Sequence, residues 1–107
     1  MNQKTEGAAR RYAHALLEVA VESGADAAAL RGELESVGAL LEREHELRAA
    51  LAHPALGPER RRGLAQQVFG GRASELLARL LGLLAEKGRI GLLAAITRAY
   101  LSAQRER

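Results

Sequence analysis

Apolar positions recur along this chain at the spacing of α-helices and nowhere alternate at the spacing of strands. The first patterned stretch, Ala8 to Glu22, reads AARRYAHALLEVAVE. Projected at about 100° per residue, Arg10, Arg11, His14, Glu18 and Glu22 share one polar strip. Ala8, Tyr12, Ala15, Leu16, Val19, Ala9, Ala20, Ala13 and Leu17 fill the remainder. That apolar arc is roughly twice the ~100° stripe that an ordinary surface helix needs, so a second neighbour is implied. Either this helix is the buried centre of its own bundle, or one flank is left open for a partner.

Ser23 and Gly24 should end this helix, because glycine takes the left-handed conformation without a Cβ clash. Asp26 is placed to cap a second helix, Ala27 to about Glu44, whose stripe Leu30, Leu34, Val37 and Leu41 is narrow and needs only a core. Gly32 and Gly38 weaken that helix by about 1 kcal/mol each relative to alanine, which points to close packing or to a bend. His45 to Ala52 forms a short third helix that must end before Pro54. Pro58 suits the first position of a fourth, running through Leu64, Ala65, Val68 and Phe69 to Gly70.

Ser74 caps a fifth helix, Glu75 to Lys87, in which Glu75, Arg79 and Glu86 form a polar strip of only about 60°. Leucines and alanines occupy the rest, so the fifth helix repeats the apolar surplus of the first. Gly88 ends it. A sixth helix, from about Arg89 to Gln104, carries Ile90, Leu93, Ile96, Thr97, Tyr100 and Leu101 on one face. The expected fold is all-α, a compact six-helix bundle forming a single domain over residues 1–107.

Composition agrees with the pattern. Of the 107 residues 48% are hydrophobic but only 3% aromatic, which suits helices and starves strands. There is no cysteine, so disulfides and thiolate metal sites are excluded. No apolar run approaches about 20 residues and MNQKTEG has no hydrophobic signal region, so a cytoplasmic protein without direct membrane insertion is expected. The net charge of +3, from 16 basic and 13 acidic side chains, licenses only weak attraction to polyanions.

Candidate chemistry is sparse. His14 lies on a polar strip, His45 sits between two glutamates at a helix start, and His53 precedes Pro54. The bland reading, a solvated or capping histidine, is favoured for each. No H-E-x-x-H pair occurs, and Gly70–Gly71 lacks the lysine and strand of a phosphate loop. No catalytic residue, cofactor or metal is therefore expected. Arg60, Arg61 and Arg62 spread over about 200° of a helix and so do not form one phosphate-facing row. They are read as a solvated face. A small basic nucleic-acid-binding domain is kept as the alternative on the strength of this run and a pI of 9.9, and a self-paired oligomer as a third possibility.

Three segments, in order, resemble the N-terminal domain of the δ subunit of bacterial F-type ATP synthase, the family that includes the mitochondrial oligomycin-sensitivity-conferring protein (OSCP). Ala9 to Leu17 is similar to the family's ARxYAxAL opening. Leu47 to Leu51 with His53, Pro54, Leu56, Glu59, Arg60 and Arg61 resembles its second motif, and Leu80, Leu81, Leu84 to Ile90 and Leu93 its third. Arg11 stands where a proline is common, and Lys87 where an asparagine is.

The resemblance implies a non-catalytic stator subunit, peripheral to the membrane, whose six-helix domain grips the N-terminal helix of an α subunit between its first and fifth helices. It carries over Tyr12, Ala15 and Leu83 as contact residues, and geometry adds Ala8, Val19, Leu76 and Leu80. Contact with the peripheral-stalk b subunits belongs to a C-terminal region that follows the sixth helix in the family and is absent from this sequence. The first helix then divides into a core side, Ala9, Ala13, Leu16, Leu17 and Ala20, and a binding wall, Ala8, Tyr12, Ala15 and Val19.

Overall fold

The computed structural model describes residues 3–106. Among them six α-helices follow one another: α1 Gln3–Glu22, α2 Ala27–Arg43, α3 His45–Ala52, α4 Pro58–Phe69, α5 Glu75–Glu86 and α6 Leu93–Arg105. A 3-10 turn, Ile90–Leu92, leads into α6. The described residues contain no strand. The chain is an all-helical bundle with a single core, as its periodicity requires.

Local chemistry accounts for most boundaries. Asp26 Oδ1 accepts from the backbone N–H of Ala28 and of Ala29, at 3.0 and 3.1 Å, and so starts α2. Ser74 Oγ accepts from Leu77 N at 3.3 Å at the start of α5, and Pro58 opens α4. Gly24 and Gly88, at φ 76° and 68°, provide the left-handed residues that close α1 and α5.

Two boundaries differ from expectation. α1 begins at Gln3, ahead of Ala8, because Gln, Lys and Glu are good helix formers and Glu6 lies at the positive end of the helix dipole. At the other end of the chain, Arg89 does not start α6. The 3-10 turn intervenes, with Leu92 N donating to Arg89 O at 2.9 Å, and it turns Ile90 into the core.

The core joins all six helices. Leu30, Leu34, Val37 and Leu41 of α2 are buried as their spacing predicts, as are Leu51, Ala65 and Phe69 from α3 and α4. From α6 come Leu93, Ala95, Ile96, Tyr100 and Ala103, with Tyr100 fully buried. α1 packs chiefly on α6, and α5 chiefly on α4.

Glycine roles depart from the sequence reading. A Cβ on Gly32 or Gly38 would meet nothing within 4 Å, so neither marks a close approach, and α2 runs unbroken through both because its leucine stripe is buried. The glycine against which another helix rests is Gly82 of α5, where an added Cβ would lie 3.4 Å from Arg62 Cγ.

Candidate functional site

The core side of α1 is closed: Ala9, Ala13, Leu16, Leu17 and Ala20 are all buried. The adjacent flank is not. Ala8 and Tyr12 are half-buried, Ala15 is exposed, and Val19 is 44% exposed. These four side chains succeed one another along one line because steps of three and four residues return to nearly the same helix azimuth. Val21 is also exposed, but it projects from another side of the helix and stands alone.

Tyr12 is the anchored member of that line. Its phenolic oxygen accepts from Arg89 Nη1 at 3.2 Å, tying α1 to the turn between α5 and α6. Next to this bond lies a surface depression of about 340 Å³ lined by Lys4, Thr5, Ala8, Gly88, Arg89, Gly91 and Leu92. The floor is apolar or glycine, and the rim carries two cations.

The fifth helix behaves differently. Leu77, Leu81, Leu84 and Ala85 are fully buried, Leu80 is 9% exposed, and Leu76 is half-buried. Leu83 looks outward at 37%. α1 and α5 share no extensive direct packing; the Tyr12–Arg89 bond joins the first helix to the turn that follows the fifth. Of the residues singled out in the sequence, Ala8 and Tyr12 therefore border that turn, and Ala15, Val19 and Leu83 face solvent. Leu76 is intermediate, and Leu80 belongs to the core.

Arg61 overturns the reading of the arginine run as a solvated face. It is buried among the apolar residues, with Nε donating to Ala85 O at 2.7 Å and Nη2 to Glu86 O at 2.9 Å. Nη1 reaches Leu56 O at 2.5 Å and, more weakly, His53 O at 3.4 Å. One guanidinium thus satisfies carbonyls at the C-terminal end of α5, where the helix dipole favours a cation, and also fastens the loop ahead of α4. Sequence reasoning missed this, although a signal was present: Arg61 lies in register with Ala65 and Phe69, on the apolar stripe of its helix.

Arg60 and Arg62 remain on the surface, and Arg62 Nη1 pairs with Glu86 Oε1 at 3.2 Å. The run therefore offers no continuous basic face, and of the two observations behind a nucleic-acid reading only the basic pI remains.

The other candidates for chemistry either face solvent or make bonds that hold the fold. His14 and His45 are exposed, and His53 Nδ1 accepts from Ala55 N at 3.0 Å, closing the turn after α3. Tyr100 donates its hydroxyl to Ala27 O at 2.7 Å, joining α6 to the start of α2. Burial, and secondarily the nearby Asp26 carboxylate, raise its pKa above the ordinary 10.0. Among the described residues no group of three His, Asp or Glu side chains could hold a metal ion, and no helix is long and apolar enough to cross a membrane.

The family described as "ATP synthase delta (OSCP) subunit" matches residues 8–107. An ATP synthase subunit delta of Chlorobium phaeovibrioides is 34% identical over 93 residues, covering 87% of this chain and 51% of the relative. One of Microcystis aeruginosa is 37% identical over 97 residues, covering 91% and 53%. One of Pelobacter propionicus is 38% identical over 93 residues, covering 86% and 51%. The chain spans about half the length of these relatives. No solved structure matches it. With the family match running from Ala8 through the last residue, and with relatives of this similarity along most of its length, the chain belongs to the ATP synthase delta (OSCP) subunit family.

Proposed function

We propose that this domain is a non-catalytic adaptor of the ATP synthase, equivalent to the N-terminal part of its relatives, that holds an amphipathic helix from the N-terminus of an α subunit. The holding surface is the outer flank of α1, Ala8, Tyr12, Ala15 and Val19, with Leu76 and Leu83 of α5 completing it and Leu80 supporting it from behind. In this reading the domain is a fixed joint between the catalytic head and the peripheral stalk, and it is peripheral to the membrane. Contact with stalk b subunits is assigned to the part of the family's length that lies beyond this chain.

The observation that carries the reading is the apolar line on α1 that the fold leaves uncovered, with Val19 at 44% exposure. A preformed apolar wall of helical length suits helix-in-groove recognition, in which residues at i, i+3, i+4 and i+7 of the guest supply the contact. Small side chains at Ala8 and Ala15 let a guest backbone approach closely, and Tyr12 supplies a rigid aromatic contact already held by Arg89. Family membership supplies the complex in which such a joint operates.

Calorimetric titration with a synthetic peptide of the cognate α subunit's N-terminal helix tests this. The wild-type chain should bind it, and Tyr12→Ala and Leu83→Asp should each weaken binding at least tenfold while the helical circular dichroism stays unchanged. Undiminished binding by both variants refutes the assignment of the surface.

A further inference from the structure

Resting on the reading of α1 as a docking wall, we infer that the helix it holds is charge-segregated, with its acidic end lodged at Lys4 and Arg89 and its basic end at Glu18 and Glu22. The rim of the wall changes sign along α1. Lys4 and Arg11 are exposed beside Ala8 and Tyr12, whereas Glu18 and Glu22 are exposed beside Ala15 and Val19. None of these four makes a salt bridge with another described residue. Arg89 adds a third cation at the first end. Its contact there is the neutral hydroxyl of Tyr12, so its charge is oriented and not neutralised.

The carboxylates of α5 and Glu6 do not offset the cationic end, where exposed Lys87 adds a further cation beside Arg89. Glu75 is paired with Arg79 at 2.6 Å, and Glu86 with Arg62. Glu6, although it lies in the first turns of α1, faces the cleft against α6 together with Arg10, His14 and Arg98. The dipole of α1 reinforces the order, positive at the Lys4 end and negative at the Glu22 end.

The depression at the cationic end is floored by Ala8, Gly88, Gly91 and Leu92 and rimmed by Lys4 and Arg89. It has room for the carboxylate of one guest side chain beside the apolar seam, where the guanidinium fork of Arg89 would receive it. From Lys4 to Glu22 the wall measures about 27 Å along the helix axis, so the fitting guest is about 18 residues long, or five turns. Complementary ends fix its register and direction on a surface whose alanines alone would let it slide.

The test uses two synthetic amphipathic peptides of about 18 residues with the same apolar stripe. One has its glutamates in one half and its lysines in the other; the second has the same residues interleaved. In low salt the segregated peptide should bind the full chain about three- to tenfold more tightly, and the advantage should vanish near 1 M salt, where the Debye length falls to about 3 Å. A spin label on its acidic end should broaden the amide signals of Ala8 and Gly91, and one on its basic end those of Val19. Lys4→Glu with Arg89→Glu should erase the preference, while helical circular dichroism reports that the fold persists.

Equal affinity for the two peptides, or broadening with the ends exchanged, overturns the inference but leaves the docking surface standing if the cognate α peptide binds. Failure of all three peptides to bind the wild-type chain overturns both.

Discussion

Helices α1 and α5 carry the same excess of apolar residues, and the fold disposes of it in opposite ways. α5 turns nearly all of it inward, with Leu77, Leu81, Leu84 and Ala85 fully buried. α1 buries one side against α6 and leaves Ala15 and Val19 in solvent. The kind of residue explains which helix can do which. The surplus on α5 is leucine, each worth about 1.5–3 kcal/mol when withdrawn from water, whereas much of the surplus on α1 is alanine, which presents little surface. An alanine-rich flank can stay uncovered at small cost and still admit a close neighbour. A wide apolar arc on a helix is thus ambiguous until its side-chain sizes are read.

The sharpest way to break this contrast is to compare truncations on the two helices. Leu81→Ala in α5 should lower stability by about 2–5 kcal/mol, the range for a leucine lost from a closed core, as measured by urea denaturation. Next comes the fastening of α5 itself. Arg61→Ala removes the donor to Ala85 O, Glu86 O and Leu56 O and should destabilise by about 2–4 kcal/mol. It should also speed amide exchange in the last turn of α5, and Arg61→Lys should recover only part of the loss because an ammonium lacks the planar fork.

Tyr100 tests the scaffold behind α1. Tyr100→Phe removes the hydroxyl donor to Ala27 O and should cost about 0.5–1.5 kcal/mol at neutral pH. Because the fold raises the phenol pKa above its unfolded value, the neutral phenol's contribution is fully present below about pH 10 and is lost as pH rises through the raised folded value. The wild-type protein should therefore lose stability on alkaline titration in that window, and the phenylalanine variant should lack that component. The smallest effect belongs to the open flank: Val19→Ser should change stability by no more than about 0.5 kcal/mol. A loss comparable to that of Leu81→Ala would mean that α1 has no free flank, and the contrast between the two helices would collapse.

Much of this was legible from local pattern. The stripe Leu30, Leu34, Val37 and Leu41, the cap at Asp26 and the helix end at Gly88 all appear in the structure where local pattern placed them, whereas spacing left open which side of the surplus on α1 would be covered. The misreadings have a common cause. Gly32 and Gly38 looked like contact glycines, yet the approach falls at Gly82, because only the path of α4 across α5 determines which glycine is crossed. Arg61 looked solvated because arginine usually is, and the carbonyls that accept its hydrogen bonds come from residues as distant in sequence as Ala85 and Glu86. Leu80 and Leu83 lie on one apolar arc, but they differ in burial because α4 and the rest of the core cover one side of α5 and stop short of the other.

By itself the sequence determined the helical class, the approximate extent of each helix and which residues could serve as core, since these follow from periodicity, capping and propensity acting over a few neighbouring residues. Only the tertiary structure decided which surplus face is covered, where the cation of Arg61 finds its acceptors, and that Tyr12 meets Arg89. Those outcomes depend on pairs such as Tyr12 and Arg89, 77 positions apart, whose encounter is set by how whole helices pack and not by anything either neighbourhood encodes.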